Sequence, residues 1–95
     1  MFHFGTNLKM HQTPAQTREY VRDVLAHTEA SQGIDSTSLW IIPPFTSIET
    51  AANEARGTRI RIGAQNMHWE DAGAFTGEMS PAILKACGGY WQTQW

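Results

Sequence analysis

The sequence predicts an α/β fold in which short parallel strands alternate with helices. Three apolar runs, each followed by a segment with helical spacing or helix-capping residues, support this prediction. Prolines and glycines lie where those helical segments are expected to begin and end. At 95 residues the chain makes one small domain at most, and its single core would be limited in size.

The first strand is predicted at Phe2 to Asn7, where a short apolar run ends in polar residues. A helix is predicted to follow, because Thr13 and Gln16 have the spacing of a capping box and Pro14 suits the first helical position. Gly33 is its expected end. Four apolar residues at helical spacing are expected to form its buried stripe: Tyr20, Val21, Val24 and Leu25.

The second strand is predicted at Leu39 to Ile42, a continuous apolar run closed by two prolines. Runs of this kind are typical of strands that are covered on both faces. Thr46 and Glu49 repeat the capping-box spacing, so a short alanine-rich helix is expected to start there and to reach about Arg56. Gly57 is the expected stop.

The third strand is predicted at Arg59 to Gly63, where apolar and polar residues alternate. A long loop with several glycines follows. Ser80 and Pro81 then predict the start of a last short helix, Ala82 to Cys87, which ends at two glycines. The chain therefore contains three strand–helix units.

Composition argues against several classes of function. The apolar fraction is 41% and the charged fraction 17%, as in globular proteins. With a net charge of -2 and no basic run, nucleic acid and anionic membrane surfaces are not expected partners. The single cysteine, Cys87, excludes an internal disulfide and fits a reducing compartment. No secretory signal and no stretch of about 20 apolar residues is recognised, so a soluble cytoplasmic protein is expected.

Two polar clusters follow strands, at the end where α/β folds gather their ligand-binding groups. Asn7 and Lys9 follow the first strand, and a lysine held there by an asparagine could attract a phosphate or stabilise an oxyanion. The alternative is a lysine that is simply solvated. Gln65 and Asn66 follow the third strand, and their amides suit a substrate hydroxyl, a subunit contact or ordinary loop capping.

A third candidate region is the loop from Trp69 to Glu78, which also carries Phe75 and Thr76. Aromatic residues in a long loop are typical of an interface or a lid, and the alternative is a loop that folds back over its own core. The four histidines show no metal-ligand spacing, and no glycine-rich phosphate loop is present, so neither metal nor nucleotide is predicted.

Taken in order, these clusters resemble one family. Phe4 to Met10 is similar to the first-strand motif of the triosephosphate isomerases, usually Gly-Asn-Trp-Lys-Met-Asn, and residues 63–81 resemble their third-strand loop almost residue for residue. The resemblance covers residues 2 to about 89. It implies the amino-terminal three βα units of a (β/α)8 TIM barrel, with the barrel incomplete. Residues 1–89 would form this partial domain, and residues 90–95 an aberrant or truncated tail.

The resemblance also implies roles for individual residues. Asn7 and Lys9 would bind substrate and act in catalysis, with Lys9 supplying positive charge to the substrate phosphate and the developing oxyanion. Glu78 would pair with an arginine that lies outside this chain, and the loop around Thr76 would reach a neighbouring subunit. The residues that would build a homodimer interface are Gln65, Asn66, Phe75, Thr76 and Glu78.

The activity implied by the resemblance is the interconversion of dihydroxyacetone phosphate and glyceraldehyde 3-phosphate through an enediol(ate), without a cofactor or metal. Thr6, Leu8 and His11 depart from the usual motif, and these departures resemble tetrulose-phosphate (erythrulose-phosphate) isomerases, which keeps that substrate open. The catalytic histidine and glutamate of the family would come from later strands. This chain is therefore expected to be inactive and poorly stable alone, and a non-catalytic interaction fragment is a further alternative.

Overall fold

The computed structural model describes residues 2–30 and 37–88, which form one sheet with helices packed against it. The strands of this sheet are β1 (Phe2–Asn7), β2 (Thr37–Ile42) and β3 (Ile60–Ile62). They are all parallel, in the order β1-β2-β3. The α/β prediction is confirmed, although β2 begins two residues before the predicted strand and β3 is shorter than the predicted one.

The strand register brings the carboxyl ends of the three strands to one rim of the sheet. Asn7, the last residue of β1, pairs with Ile42, the last residue of β2. The pairing continues for one residue beyond β1 and beyond β3, because Leu8 N donates to Ile42 O at 3.0 Å and Gly63 N donates to Ile41 O at 3.0 Å. Residues that follow the strands therefore start from neighbouring points of this rim.

Helix α1 (Pro14–Ala30) begins with the predicted capping box. The backbone N–H of Thr13 donates to Gln16 Oε1 at 2.9 Å, and the N–H of Gln16 donates to Thr13 Oγ1 at 3.3 Å. Two backbone donors that the first turn would otherwise leave unpaired are thus satisfied. Val21 is fully buried at the centre of the predicted apolar stripe. Gly33, the expected stop, lies outside the described residues.

Helix α2 (Ile48–Ala55) begins differently from the prediction. The chain first makes a 3-10 turn at Phe45–Ser47, so Thr46 lies inside that turn and is not a cap. Ser47 takes the capping position but makes no side-chain capping bond. A proline pair comes just before the turn and restricts how the chain can enter the helix. The predicted stop is correct, since Gly57 has a φ of +78°, which suits glycine.

The contrast between the two helix starts gives a direct test. Thr13→Ala removes a capping bond and is expected to lower the free energy of unfolding by about 0.5–2 kcal/mol. Thr46→Ala, the matched control, is expected to change it by less than about 0.5 kcal/mol, because Thr46 is exposed and does not cap a helix. Urea titration followed by circular dichroism measures both variants. Equal losses in the two variants would contradict the assignment of the caps.

Helix α3 (Pro81–Ala86) starts as the sequence predicts. Ser80 Oγ accepts a hydrogen bond from the N–H of Ile83 at 3.1 Å, and Pro81 occupies the first helical position. Gly88 follows the helix with a φ of +91°. The second glycine of the predicted stop and the tail predicted at residues 90–95 lie outside the described residues.

The core lies between the sheet and its helices. Its buried members come from the strands, from the helices and from the residues just after β1 and β3: Leu8, Val21, Ile41, Ile48, Ala51, Ala55, Ile60, Ile62, Ala64 and Leu84. On the surface, α1 is also tied to α2 by Arg22, whose Nε and Nη2 donate to the carboxylate of Glu54 at 3.1 Å each. These bonds and the charge of Glu54 raise the pKa of Arg22 above its ordinary value. Among the described residues, no helix is long and apolar enough to cross a membrane.

Candidate functional site

Lys9 lies on the rim just beyond β1, in a backbone conformation that side-chain-bearing residues seldom adopt. Its φ is +54°, in the left-handed region, and its side chain is exposed. The side chain of Asn7 stabilises this conformation, because Asn7 Oδ1 accepts a hydrogen bond from the backbone N–H of Lys9 at 2.9 Å. The sequence predicted that Asn7 holds the lysine, and in the structure the contact is made to the lysine backbone.

Gln65 reaches the same rim from the end of β3. Its Nε2 donates to the carbonyl oxygen of Lys9 at 2.7 Å and to that of Ile42 at 3.3 Å. One amide group therefore connects the chain after β1, the last residue of β2 and the chain after β3. Gln65 and Lys9 are 56 positions apart, so the strand register is what brings them together.

The chemistry available at this rim is that of a cation held on a fixed backbone. The ammonium of Lys9 can attract a phosphate or an oxyanion, and a backbone that is already fixed needs less reorganisation when an anion binds. The hydrogen bonds of Asn7 and Gln65 supply that backbone arrangement. The arrangement suits the binding of a small anion, but an acid and a base are also needed to move a proton.

The Trp69–Glu78 loop is organised around one histidine. His68 is 9% exposed, and its ring stacks on Trp69 at a centroid distance of 4.2 Å and packs at a tilt against Phe75 at 4.1 Å. The backbone N–H of His68 donates to Met79 O at 2.8 Å, which brings the two ends of the loop together. The loop thus packs partly on itself, while Trp69 stays 81% exposed and Phe75 42% exposed.

Two residues predicted at an interface meet across this loop. Asn66 Nδ2 donates to Glu78 Oε2 at 3.1 Å, and the N–H of Glu78 donates to Phe75 O at 3.1 Å. Thr76, also predicted there, lies exposed on the same loop. The structure therefore separates the predicted residues into two groups, one at the Lys9 rim and one on this loop. Gln65 belongs to the rim group through its side-chain bonds.

A cavity of about 370 Å³ opens beside the loop, lined among others by His68, Phe75 and Glu78. Its polar lining is largely acidic, since Glu70 and Asp71 also contribute. Among residues 2–30 and 37–88, no group of three or more His, Cys, Asp or Glu side chains is placed to hold a metal ion. The rim of Lys9 is therefore the better candidate for binding an anionic ligand.

Two features of this region were not predicted from the sequence. The bond from Gln65 to Lys9 joins two separate motifs, and only the pairing order of the strands could have indicated it. The contact of the His68 ring with two aromatic side chains is the second feature, since the sequence predicted only a surface or locally bonded histidine without a metal. The nearby aromatic residues Trp69 and Phe75 were the available signal.

Comparison with known proteins adds to this geometry. A family model for triosephosphate isomerase matches residues 2–92. The triosephosphate isomerase of Synechococcus sp. (strain WH7803) is 48% identical over 82 residues, which cover 86% of this chain and 33% of the relative. The L-erythrulose-1-phosphate isomerase of Mesorhizobium japonicum is 40% identical over 84 residues, covering 88% of this chain and 32% of the relative. The chain thus spans about a third of the length of these relatives.

Proposed function

The chain belongs to the triosephosphate isomerase family, and from this premise we propose that it supplies the substrate-anion part of an isomerase active site. The reaction is the interconversion of dihydroxyacetone phosphate and glyceraldehyde 3-phosphate by proton transfer through an enediol(ate). The observation that best supports this proposal is the fixed backbone of Lys9, which Asn7 and Gln65 hold at the carboxyl end of the sheet. Parallel α/β barrels bind their substrates at that end.

Lys9 has two tasks in this proposal. Its ammonium attracts the phosphate of the substrate, and it offsets the negative charge that develops on the substrate oxygen when a proton leaves the neighbouring carbon. A preorganised charge favours the transition state more than the ground state, because the oxyanion exists only after the proton has moved. Asn7 keeps Lys9 in place through the bond to its backbone N–H.

The proton transfer itself is proposed to depend on groups outside this chain. The relatives are about three times as long as the matched segment, and the family resemblance assigns the acid and the base to later strands. The residues described here provide positioning and charge. We therefore propose that the 95-residue chain has no isomerase turnover by itself.

A four-carbon substrate is the second candidate. Several relatives are named L-erythrulose-1-phosphate isomerase, including one from Brucella abortus that is 42% identical over 86 residues. Thr6, Leu8 and His11 of this chain also depart from the usual first-strand motif of the three-carbon enzymes. Both substrates carry a phosphate, so the proposed task of Lys9 is the same for either one.

A contact with a second subunit is the remaining part of the proposal. The side chain of Trp69 is 81% exposed and that of Phe75 is 42% exposed, on a loop that the Asn66–Glu78 bond braces. Large aromatic residues that are exposed in a single subunit are typical of surfaces that become buried at the centre of an interface. We propose that this loop, with Thr76 at its surface, docks on another subunit of the same kind. A non-catalytic fragment that only docks in this way is the alternative to an active-site fragment.

Complementation tests the proposal. The 95-residue chain is co-expressed with the part of the Synechococcus relative that follows its matched segment, and the purified mixture is assayed with dihydroxyacetone phosphate and with L-erythrulose 1-phosphate. Turnover by the mixture, but by neither piece alone, is the expected result. Turnover by the isolated chain would contradict the proposal that groups outside this chain transfer the proton. A soluble complex without turnover would favour the docking alternative.

A further inference from the structure

We propose that Gln65 is a positioning residue for Lys9: its amide fixes the backbone of the lysine, and through it the direction of the ammonium. This inference rests on the proposed task of Lys9. It goes beyond the interface role that family resemblance assigns to Gln65. The ligand concerned is the phosphate group of the substrate.

The first step of the argument is the strain at Lys9. A φ of +54° brings Cβ close to the backbone, so the conformation persists only where the surrounding structure holds it. Glycine is the residue that adopts such a φ without penalty, and the chain has lysine instead. The backbone groups on both sides of the Lys9 Cα must therefore be held by other residues.

The second step is that both groups are held. Asn7 Oδ1 accepts from the N–H of Lys9 at 2.9 Å, and Gln65 Nε2 donates to its carbonyl at 2.7 Å. A bond on the N–H side restricts φ, and a bond on the carbonyl side restricts ψ. Together they fix the direction of the Cα–Cβ bond, on which the position of the ammonium depends. Asn7 is only two residues from Lys9 in the sequence, whereas Gln65 anchors the lysine to the chain that follows β3, at the opposite edge of the sheet.

The third step asks whether Gln65 positions Lys9 or only stabilises the sheet. Gln65 also donates to Ile42 O, but at a longer distance of 3.3 Å, and that oxygen already accepts from Leu8 N at 3.0 Å. The sheet is further secured next to Gln65 by the bond from Gly63 N to Ile41 O. The shorter bond of Gln65 goes to Lys9, whose carbonyl follows the strained φ. Losing Gln65 should therefore affect Lys9 before it affects the strand pairing.

The experiment uses the 95-residue chain and two variants of similar side-chain size. Gln65→Met removes the donor, and Gln65→Glu replaces it with a carboxyl that donates only when protonated. Gln16→Met is the matched control, because it loses a bond in the α1 capping box and leaves the rim bonds intact. Amide hydrogen exchange and backbone scalar couplings of Lys9 are measured by NMR, with the amide of Gly63 as the reference for general loosening.

In Gln65→Met, exchange of the Lys9 amide is expected to rise about fivefold, the equivalent of one typical hydrogen bond, with little change at Gly63. The scalar couplings of Lys9 should move away from those of a left-handed residue. In Gln65→Glu, lowering the pH toward the pKa of the introduced carboxyl should restore the wild-type values, because the protonated form donates again. That pKa should lie above the ordinary value of about 4.3, since two carbonyl oxygens disfavour the anion. The methionine variant at the same pH should show no such recovery.

A second readout connects this geometry to binding. Titration with inorganic phosphate is expected to give about fivefold weaker binding in Lys9→Met, which is the loss of one solvent-screened charge. In Gln65→Met the same probe should bind more weakly although the charge is still present. If Lys9→Met leaves phosphate binding unchanged, the proposed task of Lys9 fails, while the NMR result still decides the role of Gln65.

Three results would overturn the inference. The first is a Lys9 amide in the wild-type chain with the exchange rate and couplings of an unstructured residue. The second is equal acceleration at Lys9 and Gly63 in both Gln65 variants, which would make Gln65 a tie of the sheet only. The third is a Gln65→Met chain that keeps the wild-type couplings at Lys9. Should Gln65→Met unfold, Gln65→Glu carries the test through its pH dependence.

Discussion

In the complemented enzyme described above, Lys9→Met is expected to lower kcat/KM by about a hundred- to a thousandfold. Methionine approximates the length of the lysine stem but carries no charge, so the phosphate loses an attractive partner and the developing oxyanion loses a stabilising one. Part of the loss should appear in kcat, because the oxyanion exists only along the reaction path. Steady-state kinetics over a range of substrate concentrations separates the two parts.

Lys85→Met is the matched control for this variant. Lys85 is exposed in the last turn of α3, so the same substitution there removes a charge away from the rim. Its kcat/KM is expected to stay within about twofold of wild type, in keeping with the small effects of most surface substitutions. If Lys9→Met retained a tenth of the wild-type kcat/KM or more, the role assigned to the rim would be wrong.

The second large effect is expected in the core, where Ile62→Ala should leave the 95-residue chain largely unfolded. Ile62 is the last residue of β3, is 1% exposed and belongs to the core between the sheet and its helices. Truncation of a buried isoleucine to alanine typically lowers the free energy of unfolding by about 2–5 kcal/mol. A small domain with one limited core has little stability to lose. Circular dichroism during urea titration should show a midpoint shifted to much lower urea, or no folded baseline.

Ile83→Ala provides the comparison for the core variant, since Ile83 lies on α3 with 48% of its surface exposed. The loss of stability there should be at most about 1 kcal/mol, because less apolar surface leaves water on folding at that site. Similar urea midpoints for Ile62→Ala and Ile83→Ala would show that the core between the sheet and its helices does not dominate the stability of the chain.

The prediction of the fold from sequence succeeded where local chemistry is sufficient. The capping box of Thr13 and Gln16 and the serine cap of α3 are satisfied within four residues of chain, so spacing alone identifies them. Thr46 has the same spacing with Glu49, yet the chain enters a 3-10 turn after the two prolines and the cap moves to Ser47. A short pattern cannot reveal which of two tight turns the preceding backbone allows.

The candidate site was predictable in its members but not in its connections. Asn7, Lys9 and Gln65 could each be placed at a strand end from sequence, because the ends of parallel strands share one rim. The bond between Gln65 and Lys9 depends on the exact register of β1, β2 and β3, which no single motif contains. The roles of these residues in catalysis and of the Trp69–Glu78 loop in docking stay predictions that the experiments above decide.

The order β1-β2-β3 also bears on how this polypeptide acquires its structure during synthesis. Each strand pairs with the one translated just before it, so a newly emerging segment can add to the free edge of what has already formed. No established strand pair has to open to admit a later one. Vectorial assembly from the ribosome therefore matches the topology, and Gln65 reaches Lys9 only after the last of these strands has joined.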